Sequence, residues 1–218
     1  MYPRMHGDDG WYGYTPQPYA HNAREMYFLS MNPEDRRRAT NDGWFQYLEG
    51  DNPDYPENAL RQDFATLREK ISGMRADTTT PDTRLADDPM KYNPAGVRTL
   101  LQLMQGGLHL QRRGAAMFTR LRYFDPLRRR AGVPEDVAAL IEKMTDDETV
   151  VTLVNVNQQQ PRTVIVQAGG YSEHQFESVD VDGATTEVDA PLITVKLAPG
   201  AGTTLKFHLR RNGNQPTL

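Results

Sequence analysis

The sequence contains no cysteine, which excludes disulfides, thiolate nucleophiles and cysteine-ligated metals while leaving the compartment open. No apolar run approaches the ~18 residues that a membrane span needs, and the opening residues from Met1 to His6 lack the apolar core of a secretory signal. Charge of one sign is also scarce. The net value is −4, from 25 Lys and Arg against 29 Asp and Glu, so neither nucleic acid nor a membrane surface is an expected partner. The arginine runs Arg36 to Arg38 and Arg128 to Arg130 are short and read as solvated or ion-paired faces. There is no phosphate-binding loop, no Gly-x-Ser-x-Gly elbow and no dinucleotide fingerprint. His6, His21, His109, His174 and His208 are scattered without an i,i+4 pair, so a zinc site is not expected. No metal and no cofactor is implied by any of these patterns.

What is present divides into two kinds of periodicity. In the first half, 20–29 has a helical pattern, and Asn32-Pro33-Glu34-Asp35 before three arginines reads as a cap, a proline start and charges matched to a helix dipole. Leu60, Phe64, Leu67 and Ile71 form one stripe between Pro56 and Gly73, predicting a helix that Gly73 stops and whose stripe is core. Asn93-Pro94 opens a further helix, with Val97, Leu100, Leu101 and Met104 inward and Gly106-Gly107 as its end. From about Ala115 the period becomes two. Met117, Thr119, Leu121 and Tyr123 alternate with Phe118, Arg120, Arg122 and Phe124, as in a strand covered mainly on one face. Pro134 with Val137, Leu140, Ile141 and Met144 suggests a short helix. Strands follow at 149–157, 162–167, 174–182, 186–189, 192–197 and 203–210, separated by Gly, Pro, Asn and Asp turns. The expected fold class is therefore α+β: a short helical segment over 1–107, then a seven-stranded antiparallel β-sandwich over 115–211.

Candidate chemistry gathers at the start of the chain. His6, Asp8, Asp9, Trp11, Tyr12, Tyr14, Tyr19 and His21 lie close together in sequence. Histidine, carboxylate and phenol groups move protons, and Trp and Tyr rings can stack on sugar faces. His6, Asp9 and Tyr14 are the candidate catalytic residues, with Trp11 and Tyr12 as substrate contacts. Packing of these rings against other helices, with His6 and the aspartates solvated, is the competing reading. In the sandwich half, Tyr171, His174 and Gln175 beside Gly169-Gly170 are placed to touch a ligand or a neighbouring domain. The acidic stretch "ADTTTPDTRLADDP", Ala76 to Pro89, has no EF-hand spacing. It reads as an interdomain strap held by local side-chain bonds, with a cleft-lining role or a calcium site as alternatives.

The segments "GYTPQPYAHNAREMYFLSMNP", "GMRADTTTPDTRLADDPMKYNPA", "RLRYFDPLRRRAGVPEDVAALIEKMTDD" and "VTLVNVNQQQPRTVIVQAGGYSEHQ" resemble the C-terminal part of large uncharacterised bacterial proteins. Those proteins are similar to enzymes built as an α/α toroid followed by a β-sandwich, an arrangement shared by many glycoside hydrolases and polysaccharide lyases. The resemblance implies that 1–107 is the end of such a toroid, with a further helical domain upstream as partner. It implies a carbohydrate ligand and a carbohydrate-active parent, hydrolase or lyase, of which this piece alone would be inactive. Two alternatives stand beside it: a non-catalytic accessory or glycan-binding sandwich, and a small-molecule lyase or isomerase resembling linalool dehydratase.

Overall fold

The structure is a computed structural model that describes residues 2–4, 13–15, 20–39, 42–80, 93–94, 96–108 and 116–212. In chain order the described elements begin with a two-stranded antiparallel ladder, β1 (Tyr2–Arg4) and β2 (Gly13–Thr15). Five helices follow: α1 (Ala20–Ser30), α2 (Pro33–Arg38), α3 (Gly43–Glu49), α4 (Tyr55–Ala76) and α5 (Arg98–Gln105). Nine strands complete the chain: β3 (Leu121–Asp125), β4 (Arg130–Ala131), β5 (Val137–Met144), β6 (Glu148–Asn155), β7 (Arg162–Ala168), β8 (His174–Val181), β9 (Ala184–Ala190), β10 (Leu192–Leu197) and β11 (Gly202–Arg211).

These nine strands form two antiparallel sheets, ordered β10-β7-β3-β4 and β5-β6-β11-β8-β9. The fold is thus helices plus an antiparallel β-sandwich, with two more strands than the seven expected. Inward alternation builds the core, with Leu121, Tyr123, Val164 and Val166 from one sheet and Val151, Leu153, Phe176 and Phe207 from the other. The Phe176 and Phe207 rings lie 4.4 Å apart between centroids. The β8–β9 turn uses Asp182 and Gly183, both at positive φ, the backbone of a primed hairpin turn.

The segment after Pro134 is a strand, not the expected helix. β5 pairs antiparallel with β6, and its register slips between Ile141 and Lys143. That bulge inserts one residue, so the inward positions run Val137, Ala139, Ile141 and then Met144. The three-residue step from Ile141 to Met144 imitates a helical stripe.

The helices α3 and α5 pack against β5, the edge strand of the larger sheet, and so cover an edge that would otherwise expose unpaired backbone. Helix α2 begins as read from its sequence, with the Asn32 side chain accepting from Glu34 N at 2.9 Å. Helix α3 was not anticipated. Asp42 caps it by accepting from Trp44 N and Phe45 N at 3.0 and 3.2 Å, and Gly50 ends it at φ +92°. Its Trp44, Phe45, Tyr47 and Leu48 are all buried, and Tyr27, Phe28 and Phe45 form an aromatic cluster with centroids 5.6 to 6.1 Å apart. The helical part therefore has more core of its own than single stripes suggested.

Two helix expectations need correction. In α4, Gly73 does not stop the helix, which continues to Ala76, and no residue of the helix is buried. Its stripe is therefore not core. In α5 the buried face is Thr99, Gln102 and Leu103, while Val97 and Leu100 are exposed. On this buried face Tyr55 Oη donates to Gln102 Oε1 at 2.9 Å. At its end Gly106 adopts φ +68°. A Cβ on Gly107 would sit 2.0 Å from the Phe118 carbonyl oxygen, so the close approach of these two segments requires glycine there.

Candidate functional site

His6, Asp9, Trp11 and Tyr12 lie outside the described residues, and Tyr14 is placed only by its backbone, opposite Pro3 in the first ladder. Of the acidic stretch, Ala76 to Thr80 is described. There Asp77 Oδ1 accepts from Thr79 N at 2.9 Å and from Thr79 Oγ1 at 2.6 Å, a local side-chain turn. Asp82, Arg84, Asp87 and Asp88 lie outside the described residues, as does most of the boundary between 107 and 115. Among the described residues no cluster of His, Asp or Glu could hold a metal ion, and no helix is long and apolar enough to cross a membrane.

The most unusual polar chemistry lies where the helices meet the sandwich. Arg120 immediately precedes β3 and is 0 % exposed. The strand alternation put it on a polar face, but α5 covers that side. Its backbone N donates to Gln105 O at 2.9 Å, and its carbonyl accepts from Gly169 N at 2.8 Å. The guanidinium reaches the β5–β6 turn, with Nε donating to Thr149 Oγ1 at 2.9 Å and Nη2 to the Thr145 and Asp146 carbonyls at 3.2 and 2.8 Å. Nη1 has no partner among the described residues. Burial pushes the Arg120 pKa down to about 10, opposed by Tyr27 and by the carboxylates of Asp146, Asp147 and Glu173. The group remains a cation at neutral pH, because carbonyl dipoles replace part of its lost hydration.

His174, also buried, is pushed down to about 3, first by burial and then by the positive charges of Arg120 and Arg211. It is neutral at neutral pH, and its Nδ1 has no partner among the described residues. Beside this core runs a groove of about 190 Å³, bordered by Phe28 and Met31 of the helical part, Met117, Thr119, and Tyr171 and Glu173 from the β7–β8 turn. Thr119 is 4 % exposed, and its Oγ1 lacks a partner among the described residues. Tyr171 is 66 % exposed, yet its hydroxyl is held by the Met117 N–H at 3.1 Å. The Glu173 oxygens are already engaged, Oε1 with Gly170 N at 3.2 Å and Oε2 with Tyr171 N at 2.7 Å. The groove thus presents an oriented aromatic ring and a committed carboxylate, with the Thr119 hydroxyl buried in its wall. That set suits binding better than proton transfer.

A second hollow of about 250 Å³ lies around Asp125, Arg128, Glu135 and Arg162. Its charges are already paired: Arg128 with Glu135 within the lining, Arg162 with neighbouring Asp136 at 2.7 Å, and Asp125 with neighbouring Arg130 at 3.7 Å. Neither hollow was legible as a site, except that Tyr171, singled out with His174 beside the double glycine, lines the first. Those two residues have opposite roles, Tyr171 facing outward and His174 inward.

By its described architecture this is an α+β protein with an antiparallel β-sandwich. A family model described as a domain of unknown function, DUF8034, matches residues 37–101, within the helical half. No curated protein matches the chain. Among solved structures, a candidate alpha-galactosidase from Bacteroides fragilis is similar at 22 % identity over 34 % of this chain and 16 % of its own, with a TM-score of 0.29. A candidate alpha-N-acetylgalactosaminidase from Bacillus halodurans is similar at 22 % identity over 34 % of this chain and 19 % of its own, also with a TM-score of 0.29. The match spans less than a fifth of either protein.

Proposed function

We propose that this chain belongs to a carbohydrate-active protein of the glycoside-hydrolase kind and that the groove beside Tyr171 is a sugar-binding surface. The observation that carries the reading is that one groove is lined both by an exposed, hydroxyl-anchored Tyr171 ring and by Thr119, whose buried hydroxyl has no partner among the described residues. A ring held in one orientation offers a flat apolar face at little entropic cost, and a buried hydroxyl without a partner gains most from a ligand that supplies one. The sequence resemblance to toroid-plus-sandwich enzymes supports the same class. In this reading Trp11 and Tyr12 contribute further stacking, and His6, Asp9 and Tyr14 supply proton transfer.

The test is a glycan array followed by calorimetric titration of the best ligand. Tyr171→Ala is expected to weaken binding by roughly tenfold, equivalent to about 1.4 kcal/mol. Thr119→Val is expected to weaken it as well, while leaving the melting temperature unchanged or slightly raised, because an unsatisfied hydroxyl is removed. Absence of any glycan ligand, or full affinity in both variants, refutes the groove assignment. Affinity that depends instead on Trp11 and Tyr12 would move the binding surface to the N-terminal cluster.

A further inference from the structure

Helix α4 carries Leu60, Phe64, Leu67, Ile71 and Met74, a 4-3-4-3 spacing that is the seam of a heptad repeat. Phe64 and Ile71 occupy the a positions, and Leu60, Leu67 and Met74 the d positions. The helix has 22 residues and is therefore about 33 Å long. Phe64 is 57 % exposed and Met74 49 %. Leu60 alone of this row joins the periphery of the core cluster. A seam of this register fits the face of another helix, and the residues flanking it specify which kind.

One flank, the e positions, consists of Arg61, Arg68 and Arg75, and the other, the g positions, carries Asp63 and Lys70. Arg61 is ion-paired with Glu57 in the same helix, and Lys70 Nζ donates to the Asn93 carbonyl at 2.9 Å. Arg68 and Arg75 make no hydrogen bond or ion pair among the described residues. A second copy of α4 is a poor occupant. Antiparallel pairing would set arginine against arginine along the e flank. Parallel pairing would gain Asp63 against Arg68 but set Lys70 against Arg75. We propose that the exposed face of α4 docks an amphipathic helix whose positions flanking its apolar seam are acidic. This surface shares no residue with the groove and stands independently of the carbohydrate reading.

Two synthetic helical peptides with the same leucine seam, one with glutamate and one with lysine at the flanking positions, provide the probe. Fluorescence anisotropy against the full chain is expected to show the glutamate peptide binding at least roughly tenfold tighter, with the advantage shrinking as salt rises from about 0.05 to about 0.5 M. The double variant Arg68→Glu, Arg75→Glu is expected to reverse the preference. Phe64→Ser is expected to abolish binding of both peptides with an unchanged melting temperature, since its ring contributes little to the folded core. Equal affinity for the two peptides, or no binding of either, overturns the proposal. So does a dimer in sedimentation equilibrium that Phe64→Ser dissolves, because a second copy would then occupy the face.

Discussion

In β6, Thr149, Val151, Leu153 and Asn155 recur every second residue, and all four are fully buried. In α4, Leu60, Phe64, Leu67 and Ile71 recur just as regularly, and none is buried. The difference lies in what stands opposite each element. The sandwich supplies its own second layer, since the strands of one sheet face those of the other across a common core. Helix α4 packs chiefly against α3 and α5 among the described elements, and its stripe is at most half-buried there, with Phe64 and Met74 exposed. Periodicity therefore reports which face of an element is suited to burial. Whether that face is buried depends on a second surface that the pattern itself does not encode.

A matched pair of truncations separates the two elements most strongly. Phe207→Ala removes a fully buried ring packed against Phe176 and is expected to cost about 3–5 kcal/mol of unfolding free energy. Phe64→Ala removes a ring of the same size from α4 and is expected to cost no more than about 0.5 kcal/mol. Urea denaturation with a shared m-value measures both. Equal losses would mean that the α4 stripe is core after all.

The same contrast explains what could be read from sequence. The β6, β7, β8, β10 and β11 strands announce themselves by alternation and by turns such as Asp182-Gly183. β5 does not, because its bulge at Glu142 resets the period and puts Ile141 and Met144 three apart. Helix α3 was signalled by the Asp42 cap and Gly50 stop, but it is too short for its apolar residues to establish a period. The groove was the least legible feature. Thr119 and Arg120 fall on opposite sides of one alternating run, yet both are buried, because the helices cover the face that the alternation assigned to solvent. Arg120 looks like any surface arginine until Gln105 and the Thr145 and Asp146 carbonyls are seen around it.

The buried joint also makes stability depend on pH. His174 titrates near 6.5 when unfolded but is held down to about 3 in the fold. Below pH 6.5 the unfolded chain binds a proton that the native chain refuses, so stability falls as pH drops through this window and is fully present above it. The slope approaches about 1.4 kcal/mol per pH unit for one such group. Between pH 6.5 and 5, above the ordinary carboxylate range, His174→Gln is expected to flatten the decline in denaturation midpoint. An unchanged slope would show that the imidazole remains accessible to protons in the native state.

The smallest effect separates two tasks assigned to one carboxylate. Asp42 caps α3 through Oδ1 and receives Arg24 Nη1 on Oδ2 at 2.6 Å. Asp42→Ala removes both interactions, whereas Asp42→Asn keeps a capping oxygen and loses only the charge. The cap is expected to contribute about 1 kcal/mol, and the partly buried ion pair about 0.5 kcal/mol. Most of the loss in Asp42→Ala should therefore be recovered in Asp42→Asn, read as the shift of the urea midpoint at low salt. If Asp42→Asn is as damaging as Asp42→Ala, the link from α1 to α3 through Arg24 outweighs the cap. The aromatic cluster of Tyr27, Phe28 and Phe45 would then depend on that ion pair to hold its two helices together.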